Sequence, residues 1–344
     1  MRNRPTALVT GAAGFIGAHL VRALGELDRC HVIALDDLSG GFRENLPDEV
    51  AFVEGSVTDD ELVSGLFDEH EFDLVYHLGA YAAEGLSHFI RRFNYTNNLI
   101  GSVNLINEAV KHDSDCFVFT SSIAVYGAAQ VPMREEMTPE PEDPYGIAKY
   151  AVELDLRAAH EMFGLDHVVF RPHNVYGEYQ NIGDKYRNVV GIFMNQILRG
   201  EPMTVFGDGE QQRAFSYVGD IIDPIARAPW VEEAANRVFN VGADETYTVN
   251  ELAEAVAEAM GEPGHPVTHL EARDEVEVAY SDHAAAREVF GEPPGTTLSE
   301  GLERMAAWVE DVGARKSPEF EEIEVYENMP PSWLEGRDDV PSDG

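Results

Sequence analysis

Short apolar runs alternate with amphipathic segments along the first half of the chain. The apolar runs predict strands that are buried on both faces of a sheet. They are residues 6–10, 31–35, 50–55, 74–78, 116–120 and 168–170. Helical spacing of apolar residues is found in the segments 18–27, 97–112 and 145–163. Strands that alternate with helices predict an α/β fold, in which helices cover both faces of a parallel sheet.

A glycine pattern lies between the first predicted strand and the first helix. Gly11, Gly14 and Gly17 would allow a tight turn, a close approach of the backbone to a pyrophosphate, and close packing of the helix on the strand. The helix N-terminus adds a partial positive charge that favours phosphate. In this position the pattern predicts a Rossmann-type, doubly wound sheet that binds a dinucleotide.

Two carboxylates end the second predicted strand. Asp36 follows Gly17 by 19 residues and is itself followed by Asp37. A carboxylate at this spacing accepts hydrogen bonds from the adenosine ribose hydroxyls. Both carboxylates would repel a 2′-phosphate, and the next arginine along the chain is Arg43. NAD is therefore favoured over NADP as the cofactor.

The pattern becomes less regular after Arg171. Helices are predicted over 191–199 and 249–260, and a strand over 238–241. We expect an NAD-binding Rossmann domain (1–173), a smaller C-terminal α/β substrate-binding lobe (174–316) with some segments returning to the sheet, and an acidic, proline-containing tail (317–344). The tail is expected to be extended and to pack on the body or on a neighbouring subunit.

Three side chains predict the chemistry of the site. Tyr145 and Lys149 are one helical turn apart and share a helix face, while Ser122 follows the fifth strand, at the edge where such sheets bind ligands. A phenol with a pKa of about 10 is a poor base at neutral pH, and a neighbouring ammonium and an oxidised nicotinamide favour its anion. Ser122, Tyr145 and Lys149 are the predicted catalytic residues.

The charge balance is strongly acidic. Asp and Glu number 63 against 24 Lys and Arg, for a net charge of −39. Because the tail holds nine acids and one arginine, most of the excess lies on the folded body. This balance argues against nucleic-acid binding. We interpret it as adaptation to a salt-rich cytoplasm, where self-repulsion is screened; an ordinary acidic enzyme is the alternative.

Other classes of site find little support. No apolar run has membrane-spanning length, and the first residues lack the apolar stretch of a signal peptide, so a cytoplasmic protein without a membrane partner is expected. Cys30 and Cys116 lack metal-site or CxxC spacing and are expected to be reduced and buried. The twelve histidines show no metal-ligand spacing, so no metal is predicted, and His77 and His173 fit packing roles at strand ends.

Five ordered motifs resemble the NAD-dependent epimerase/dehydratase family of extended short-chain dehydrogenases/reductases, above all its UDP-glucose 4-epimerases. They are residues 10–17 (TGAAGFIG), 120–127 (TSSIAVYG), 144–149 (PYGIAK), 171–177 (RPHNVYG) and 206–218 (FGDGEQQRAFSYV). The resemblance extends to about Val312 and so covers nearly the whole chain.

The resemblance implies a set of site residues. The implied cofactor contacts are Gly11, Gly14, Phe15, Ile16, Gly17, Asp36, Asp37, Ser56, Val57, Leu78, Gly79, Ala80, Asn97, Thr120, Tyr145, Lys149 and His173. The implied substrate contacts are Ser122, Asn174, Asn188, Arg213 and Arg273, with the two arginines on the diphosphate. The chain departs from the family at Ser56, where an Asp is usual, and at Ala82, where many epimerases carry a Lys.

The implied activity is NAD-dependent 4-epimerisation of a nucleotide sugar of the UDP-glucose/UDP-galactose type. Tyr145 would take the proton of the 4-hydroxyl while hydride passes to NAD, and hydride would return to the other face of a 4-keto sugar. In 4,6-dehydratases an Asp-Glu pair stands where this chain has Ile123 and Ala124, and decarboxylases place a Glu nearby. Epimerisation is therefore favoured over dehydration.

Several alternatives stay open at this stage. The chain could be a UDP-glucuronate 4-epimerase, another NAD-dependent nucleotide-sugar dehydrogenase or dehydratase, or a non-catalytic NAD-binding scaffold. The region of Ala279 and Tyr280 is expected to face the sugar, without a choice between the two residues. The resemblance also implies a homodimer formed through the helices that start near Asn97 and Tyr145.

Overall fold

The computed structural model describes residues 4–128, 131–272, 276–316 and 320–334. Strands and helices alternate through the first half of the chain, as the pattern of apolar runs predicts. The elements are β1 (Thr6–Thr10), α1 (Phe15–Leu27), β2 (His31–Asp36), β3 (Ala51–Glu54), α2 (Asp60–His70), β4 (Leu74–His77), α3 (Glu84–Ser87), α4 (Arg91–Tyr95), α5 (Gly101–Lys111), β5 (Cys116–Thr120), α6 (Pro144–Phe163) and β6 (His167–Pro172).

The second half has shorter strands and less regular connections. Its elements are β7 (Val175–Tyr176), α7 (Val189–Leu198), β8 (Met203–Phe206), β9 (Gln212–Ala214), β10 (Ser216–Tyr217), α8 (Val218–Arg227), β11 (Arg237–Val241), β12 (Thr246–Thr248), α9 (Val249–Ala259), β13 (Val267–Leu270), β14 (Val278–Ala279), α10 (Ala284–Phe290), α11 (Leu298–Val312) and α12 (Pro331–Leu334). Among the described residues, no helix is both long and apolar enough to cross a membrane.

A seven-stranded sheet with strand order β11-β6-β5-β4-β1-β2-β3 forms the centre of the molecule. Every neighbouring pair in it is parallel. The chain reverses its direction of travel across the sheet between β1 and β4, and ligands bind at the carboxyl ends of strands at such a switch point. The predicted doubly wound α/β fold is confirmed.

Alternate residues of each central strand enter two different hydrophobic cores. On β5, Val118 belongs to one core and Phe117 and Phe119 to the other, and all three are fully buried. This period of two follows from the pleat of a strand. It explains why strands covered on both faces read as continuous apolar runs in the sequence.

The lobe after Arg171 is interwoven with the sheet. β11 pairs with β6 at the edge of the main sheet, and α8 packs against α1. The remaining strands form small sheets, β10-β7, β12-β9-β14 and β13-β8. The division at residue 173 stays a prediction, but segments of the second half do return to the sheet, as expected.

Some boundaries differ from the predicted ones. The segment predicted as one helix over 97–112 starts as a π-helical turn, Thr96–Ile100, before α5 begins at Gly101. In the tail, residues 320–334 pack on the body and end in α12, where Trp333 is buried. The tail therefore contains apolar side chains that pack on the body, although its overall composition is acidic.

Candidate active site

A cleft of about 500 Å³ opens at the carboxyl edge of the sheet. It is lined by the loops that follow β1, β4 and β5, by the first turns of α6, and by the chain between β6 and α7. This volume lies within the range of sites that bind small molecules and cofactors. The cleft is therefore at the place where the topology predicts ligand binding.

The glycine loop after β1 brings two stretches of backbone together at the floor of the cleft. Gly11 has a φ of +65°, and a Cβ there would lie 2.7 Å from the backbone nitrogen of Gly79. A Cβ on Gly17 would lie 2.8 Å from the Cα of Ala12. The N-cap of α1 is Gly14, which has no side chain that could occupy the first amides of the helix. The first amides of α1 are thus available to an anion such as a pyrophosphate.

Asp36 lies beside this loop at the end of β2. Its carboxylate oxygens accept hydrogen bonds from the backbone amides of Ala13, at 2.9 Å, and Leu38, at 2.8 Å. Burial raises the pKa of Asp36, while these amide hydrogen bonds oppose the rise. Each oxygen has a second acceptor site, so the carboxylate can still bind ribose hydroxyls. The first amides of α1, the Asp36 carboxylate and the close approach of Gly11 to Gly79 together fit a dinucleotide without a 2′-phosphate.

The start of α6 positions Tyr145 and Lys149. Asp143 caps the helix by accepting a hydrogen bond from the amide of Gly146 at 2.9 Å, and Pro144 is the first helical residue. Tyr145 is 8% exposed and Lys149 3%. Lys149 Nζ donates to the carbonyl oxygen of Thr120 at 2.8 Å and lies 5.8 Å from the centre of the Tyr145 ring. Both side chains reach the cleft on one face of the helix.

Burial dominates the electrostatics of this pair. It raises the pKa of Tyr145 well above its ordinary value, while the hydrogen bond with Ser122 lowers it. Burial also lowers the pKa of Lys149 to about 7, against the charge of Glu153, which raises it. The protein alone therefore favours the neutral phenol. The positive charge of an oxidised nicotinamide is the contribution to the phenolate that NAD would supply.

The loop after β5 carries Ser122. Its Oγ accepts a hydrogen bond from the amide of Ala124 at 3.1 Å and caps the single turn Ile123–Tyr126. The same side chain lies near the Tyr145 phenol, and hydrogen bonding between the two lowers the pKa of the phenol. Ser122 and Tyr145, which are far apart in the sequence, thus form one polar pair at the wall of the cleft.

A buried hydrogen-bond network fixes the loop after β5. This network was not predicted from the sequence. Arg171 Nε donates to Glu153 Oε1 at 2.9 Å, and its Nη1 donates to the Tyr126 hydroxyl at 2.7 Å. Ser121 donates to the same Glu153 oxygen, and Tyr126 donates to Asn240. Glu153 lies four residues after Lys149 on the same helix face, so helical spacing was the signal that could have found it.

Arg187 is a second residue that the sequence analysis missed. Among the described residues that line the cleft, Lys149 and Arg187 are the two cations. The Arg187 guanidinium lies 4.3 Å from the centre of the Tyr81 ring, and its Nε lies 2.7 Å from Asp184. It lies on a segment between a strand and a helix without any recognised motif. No sequence signal marked it.

Most of the predicted site residues line the cleft. They are Gly11, Gly14, Phe15, Ile16, Gly17, Asp36, Asp37, Val57, Leu78, Gly79, Ala80, Asn97, Thr120, Ser122, Tyr145, Lys149, Asn174 and Asn188. The residues that line it do not include Ser56, His173, Arg213, Ala279 or Tyr280. Arg273 lies outside the described residues.

His173 and Arg213, which do not line the cleft, contact other parts of the protein. The ring of His173 stacks on His283 at 5.2 Å, with the two Nε2 atoms 3.0 Å apart, and both rings are buried. Arg213 Nη1 donates to the carbonyl oxygens of Gln212 and Glu277. His77 is also buried, and its ring nitrogens form hydrogen bonds with the hydroxyls of Thr10 and Ser102. His173 and His77 thus have the packing contacts expected of strand-end residues.

Comparison with known proteins assigns the family. The model of the NAD dependent epimerase/dehydratase family matches residues 7–242. The chain belongs to this family. The UDP-glucose 4-epimerase of Mycolicibacterium smegmatis is 36% identical to it over 302 residues, which are 86% of this chain and 95% of that protein.

Solved structures agree with this membership. The UDP-glucose 4-epimerase of Thermotoga maritima, determined with UDP-glucose, matches with a TM-score of 0.83 and 36% identity over 89% of this chain and 99% of its own. The UDP-glucuronic acid 4-epimerase of Bacillus cereus, in complex with UDP-glucuronic acid and NAD, matches with a TM-score of 0.81 and 26% identity over the same shares. As a member of this family, the chain is an NAD-dependent enzyme.

The Glu153–Arg171 pair predicts a large effect on stability. In Glu153→Gln the guanidinium stays buried without its carboxylate, and breaking a buried pair in this way costs about 3–5 kcal/mol. We expect the free energy of unfolding from urea titration to fall by roughly that amount. Glu161→Gln makes the same chemical change at an exposed position of α6 and should leave stability almost unchanged. Equal stability of the two variants would contradict the prediction.

Proposed function

We propose that this protein is an NAD-dependent nucleotide-sugar 4-epimerase that interconverts UDP-glucose and UDP-galactose. One observation carries the proposal: Tyr145, Ser122 and Lys149 line the same cleft as the glycine loop and Asp36. This arrangement supports a role for Tyr145 as a proton acceptor beside the site of a dinucleotide. A scaffold that only binds NAD would not need it.

The loops on the two sides of the switch point, after β1 and after β4, would hold the cofactor. The amides at the start of α1, including those of Phe15 and Ile16, would bind its pyrophosphate, and Asp36 its adenosine ribose. Leu78, Gly79 and Ala80, after β4, would line it from the other side. Asn97 and Thr120 would neighbour the nicotinamide; the buried Thr120 hydroxyl has no hydrogen-bond partner among the described residues.

The chain's own residues supply the proton chemistry. Bound NAD would supply the group that accepts a hydride from the sugar and returns it. Tyr145 takes the proton of the 4-hydroxyl as its phenolate and gives it back after the sugar has presented its other face. Ser122 holds the reacting oxygen by a hydrogen bond. Lys149, anchored on Thr120, places a positive charge near the phenol when protonated.

The residues beside Ser122 favour epimerisation over elimination. Ile123 and Ala124 occupy the single turn that Ser122 caps. Neither side chain can take up or donate a proton. Removal of a C5 proton and expulsion of water would need such a group, so the keto sugar would be reduced again.

The substrate would lie between β6 and α7. Asn174 and Asn188 line the cleft there, and their amide nitrogens donate to backbone carbonyl oxygens of Ala214 and Val175. The amide oxygens are thereby oriented for a ligand. Because Arg213 does not line the cleft, Arg187 is, among the described residues, the arginine best placed for the diphosphate, through bidentate hydrogen bonds.

UDP-glucuronate is the second candidate substrate. The similarity to the Bacillus cereus enzyme bound to UDP-glucuronic acid supports it. Arg187, a cleft cation, could bind the sugar carboxylate instead of the diphosphate. Both candidates use the same proton chemistry at Tyr145.

We also propose that two copies associate through α5 and α6. Ile100, Ile147 and Leu154 expose 50%, 39% and 37% of their surface on the helices predicted to form the dimer. Large apolar side chains grouped on neighbouring helices are a feature of subunit contacts. The molecular mass in solution checks this proposal, and a monomeric mass would contradict it.

Product analysis tests the proposed function directly. The enzyme is incubated with UDP-glucose, UDP-galactose, their N-acetyl forms and UDP-glucuronate in turn, and the sugars are separated. We expect interconversion of the UDP-glucose pair without net formation of reduced NAD, because each hydride returns to the sugar. Accumulating NADH would indicate a dehydrogenase. Bound NAD without turnover of any substrate would indicate a scaffold.

The role of Tyr145 predicts a selective loss of activity. Tyr145→Phe removes the proton acceptor and should lower kcat by about 10³-fold, within the usual range for acid–base groups. Bound NAD should remain, because the other predicted cofactor contacts in the cleft are unchanged. Tyr150→Phe, on the same helix, removes a hydroxyl from a residue that does not line the cleft and is the matched control. Near-normal turnover by Tyr145→Phe would end the assignment.

The net charge of −39 leads us to propose that the protein is adapted to a salt-rich cytoplasm. Screening by salt weakens repulsion between surface carboxylates. The melting temperature should therefore be clearly higher in molar KCl than in dilute buffer. Equal melting temperatures in the two buffers would refute the proposal.

A further inference from the structure

One wall of the cleft (residues 81–95) contains α3, of four residues, and α4, which continues through the π-helical turn Thr96–Ile100 into α5. Its residues Tyr81, Glu84, Gly85 and Phe93 line the cleft. A helix as short as α3 is not stable by itself. The positions of α3, of the segment between α3 and α4, and of the first turn of α4 therefore depend on what packs on them.

The wall in turn supports the start of α6. Asn94 Nδ2 donates to the carbonyl oxygen of Pro144 at 2.8 Å, and the amide of Tyr145 donates to Ser87 Oγ at 3.3 Å. Ser87 Oγ also lies 3.3 Å from the Asp143 carboxylate that caps the helix. A displacement of the wall would thus reach the backbone of Tyr145 directly.

The described part of the tail (residues 320–334), here called the strap, covers the outer side of the wall. Phe320 packs edge-on against Phe93, with ring centres 4.8 Å apart, and against Tyr81 at 5.2 Å. The strap therefore touches two aromatic residues that themselves line the cleft.

Trp333 makes a second anchor. It is 5% exposed, and its ring packs edge-on against Phe89 at 6.2 Å and Tyr186 at 5.1 Å. Tyr186 also lines the cleft and immediately precedes Arg187. Trp333 thus contacts both the wall, at Phe89, and the segment that carries Arg187, at Tyr186.

Glu324 is the polar anchor. Its carboxylate accepts hydrogen bonds from the amides of Arg92 and Phe93, at 2.8 and 2.9 Å. The amides of Glu324 and Val325 donate to the carbonyl oxygen of Phe89. The residue before α4 provides no side-chain cap, so Glu324 satisfies the first amides of that helix from a distant part of the chain.

We propose that the strap is a positioning element of the active site, in which Phe320, Glu324 and Trp333 hold the wall and Tyr186 in place for the nucleotide sugar. The proposal rests on the proposed function for its substrate. The anchors contact cleft-lining residues from behind and do not line the cleft themselves. They act on the reaction through Tyr81, Phe93, Tyr186 and the start of α6.

Point variants of the full chain test this proposal. Trp333→Ala and Glu324→Ala each remove one anchor. Trp333→Phe keeps an aromatic ring, and Glu322→Ala changes an exposed acid of the same strap that has no role in the proposal. For each variant we would measure kcat and KM for the nucleotide sugar, bound NAD, and amide hydrogen exchange of residues 81–95 with and without UDP as a probe.

We expect the Ala variants at the anchors to raise KM or lower kcat by roughly tenfold or more, because small displacements of substrate-positioning groups have large kinetic effects. Exchange in the wall should be faster, protection by UDP weaker, and bound NAD unchanged. Trp333→Phe should restore most of the activity, and Glu322→Ala should match the wild type. Faster exchange with unchanged KM, kcat and UDP protection would overturn the proposal, as would unchanged exchange.

The exchange measurements separate this proposal from the proposed function. If the wild type turns over no nucleotide sugar, the proposed function fails. Loss of UDP protection in Trp333→Ala would still support the strap as a positioning element in that case. If the wild type is an active epimerase and the anchor variants behave like Glu322→Ala, the strap proposal fails and the proposed function stands.

Discussion

One buried face of α6 determines the geometry of the whole site. Tyr145, Lys149 and Glu153 follow one another at intervals of four residues, and each is less than a tenth exposed. Buried polar groups need partners, and these three find theirs at the ends of β5 and β6: Ser122, the Thr120 carbonyl and Arg171. A rotation or shift of the helix would leave a buried polar group or charge unpaired, which is expensive. The phenol is therefore held in register with the sheet.

The topology explains why a cofactor and a substrate can meet at that phenol. The loops after β1 and β4 diverge at the switch point and leave room for a dinucleotide between them. Strand β5 and the start of α6 lie on one side of this space, and the residues after β6 add the substrate side. The second half of the chain closes the site without forming a separate body, because β11 extends the main sheet and α8 packs on α1.

The parts of the fold that depend on local sequence were predictable. Strands buried on both faces leave continuous apolar runs, and a phosphate loop needs glycines where the backbone is crowded, as at Gly11 and Gly17. The parts that depend on contacts across the chain were not. Arg171 and Glu153 form a pair only because the fold brings them together. The position of Arg187 depends on its contacts with Tyr81 and Asp184. For the tail, the sequence predicted an extended segment that packs on the body or on a neighbour, but the position of Trp333 depends on Phe89 and Tyr186, which lie far from it in the sequence.

The electrostatics of the site must be reconciled with a protein of net charge −39 and with the two negative charges that a UDP-sugar substrate would carry. In dilute buffer, such a protein would repel the substrate over a Debye length of about 10 Å at 0.1 M salt, which shrinks to about 3 Å at 1 M. Attraction at contact is less sensitive to salt, and the cleft provides it through helix-terminal amides and through Arg187. In a salt-rich host the surface acids would therefore keep the protein hydrated without excluding its substrate. Recognition would then depend on a few donors in the cleft rather than on a positive field, so the positions of the cleft wall and of the start of α6 would have a large effect on binding.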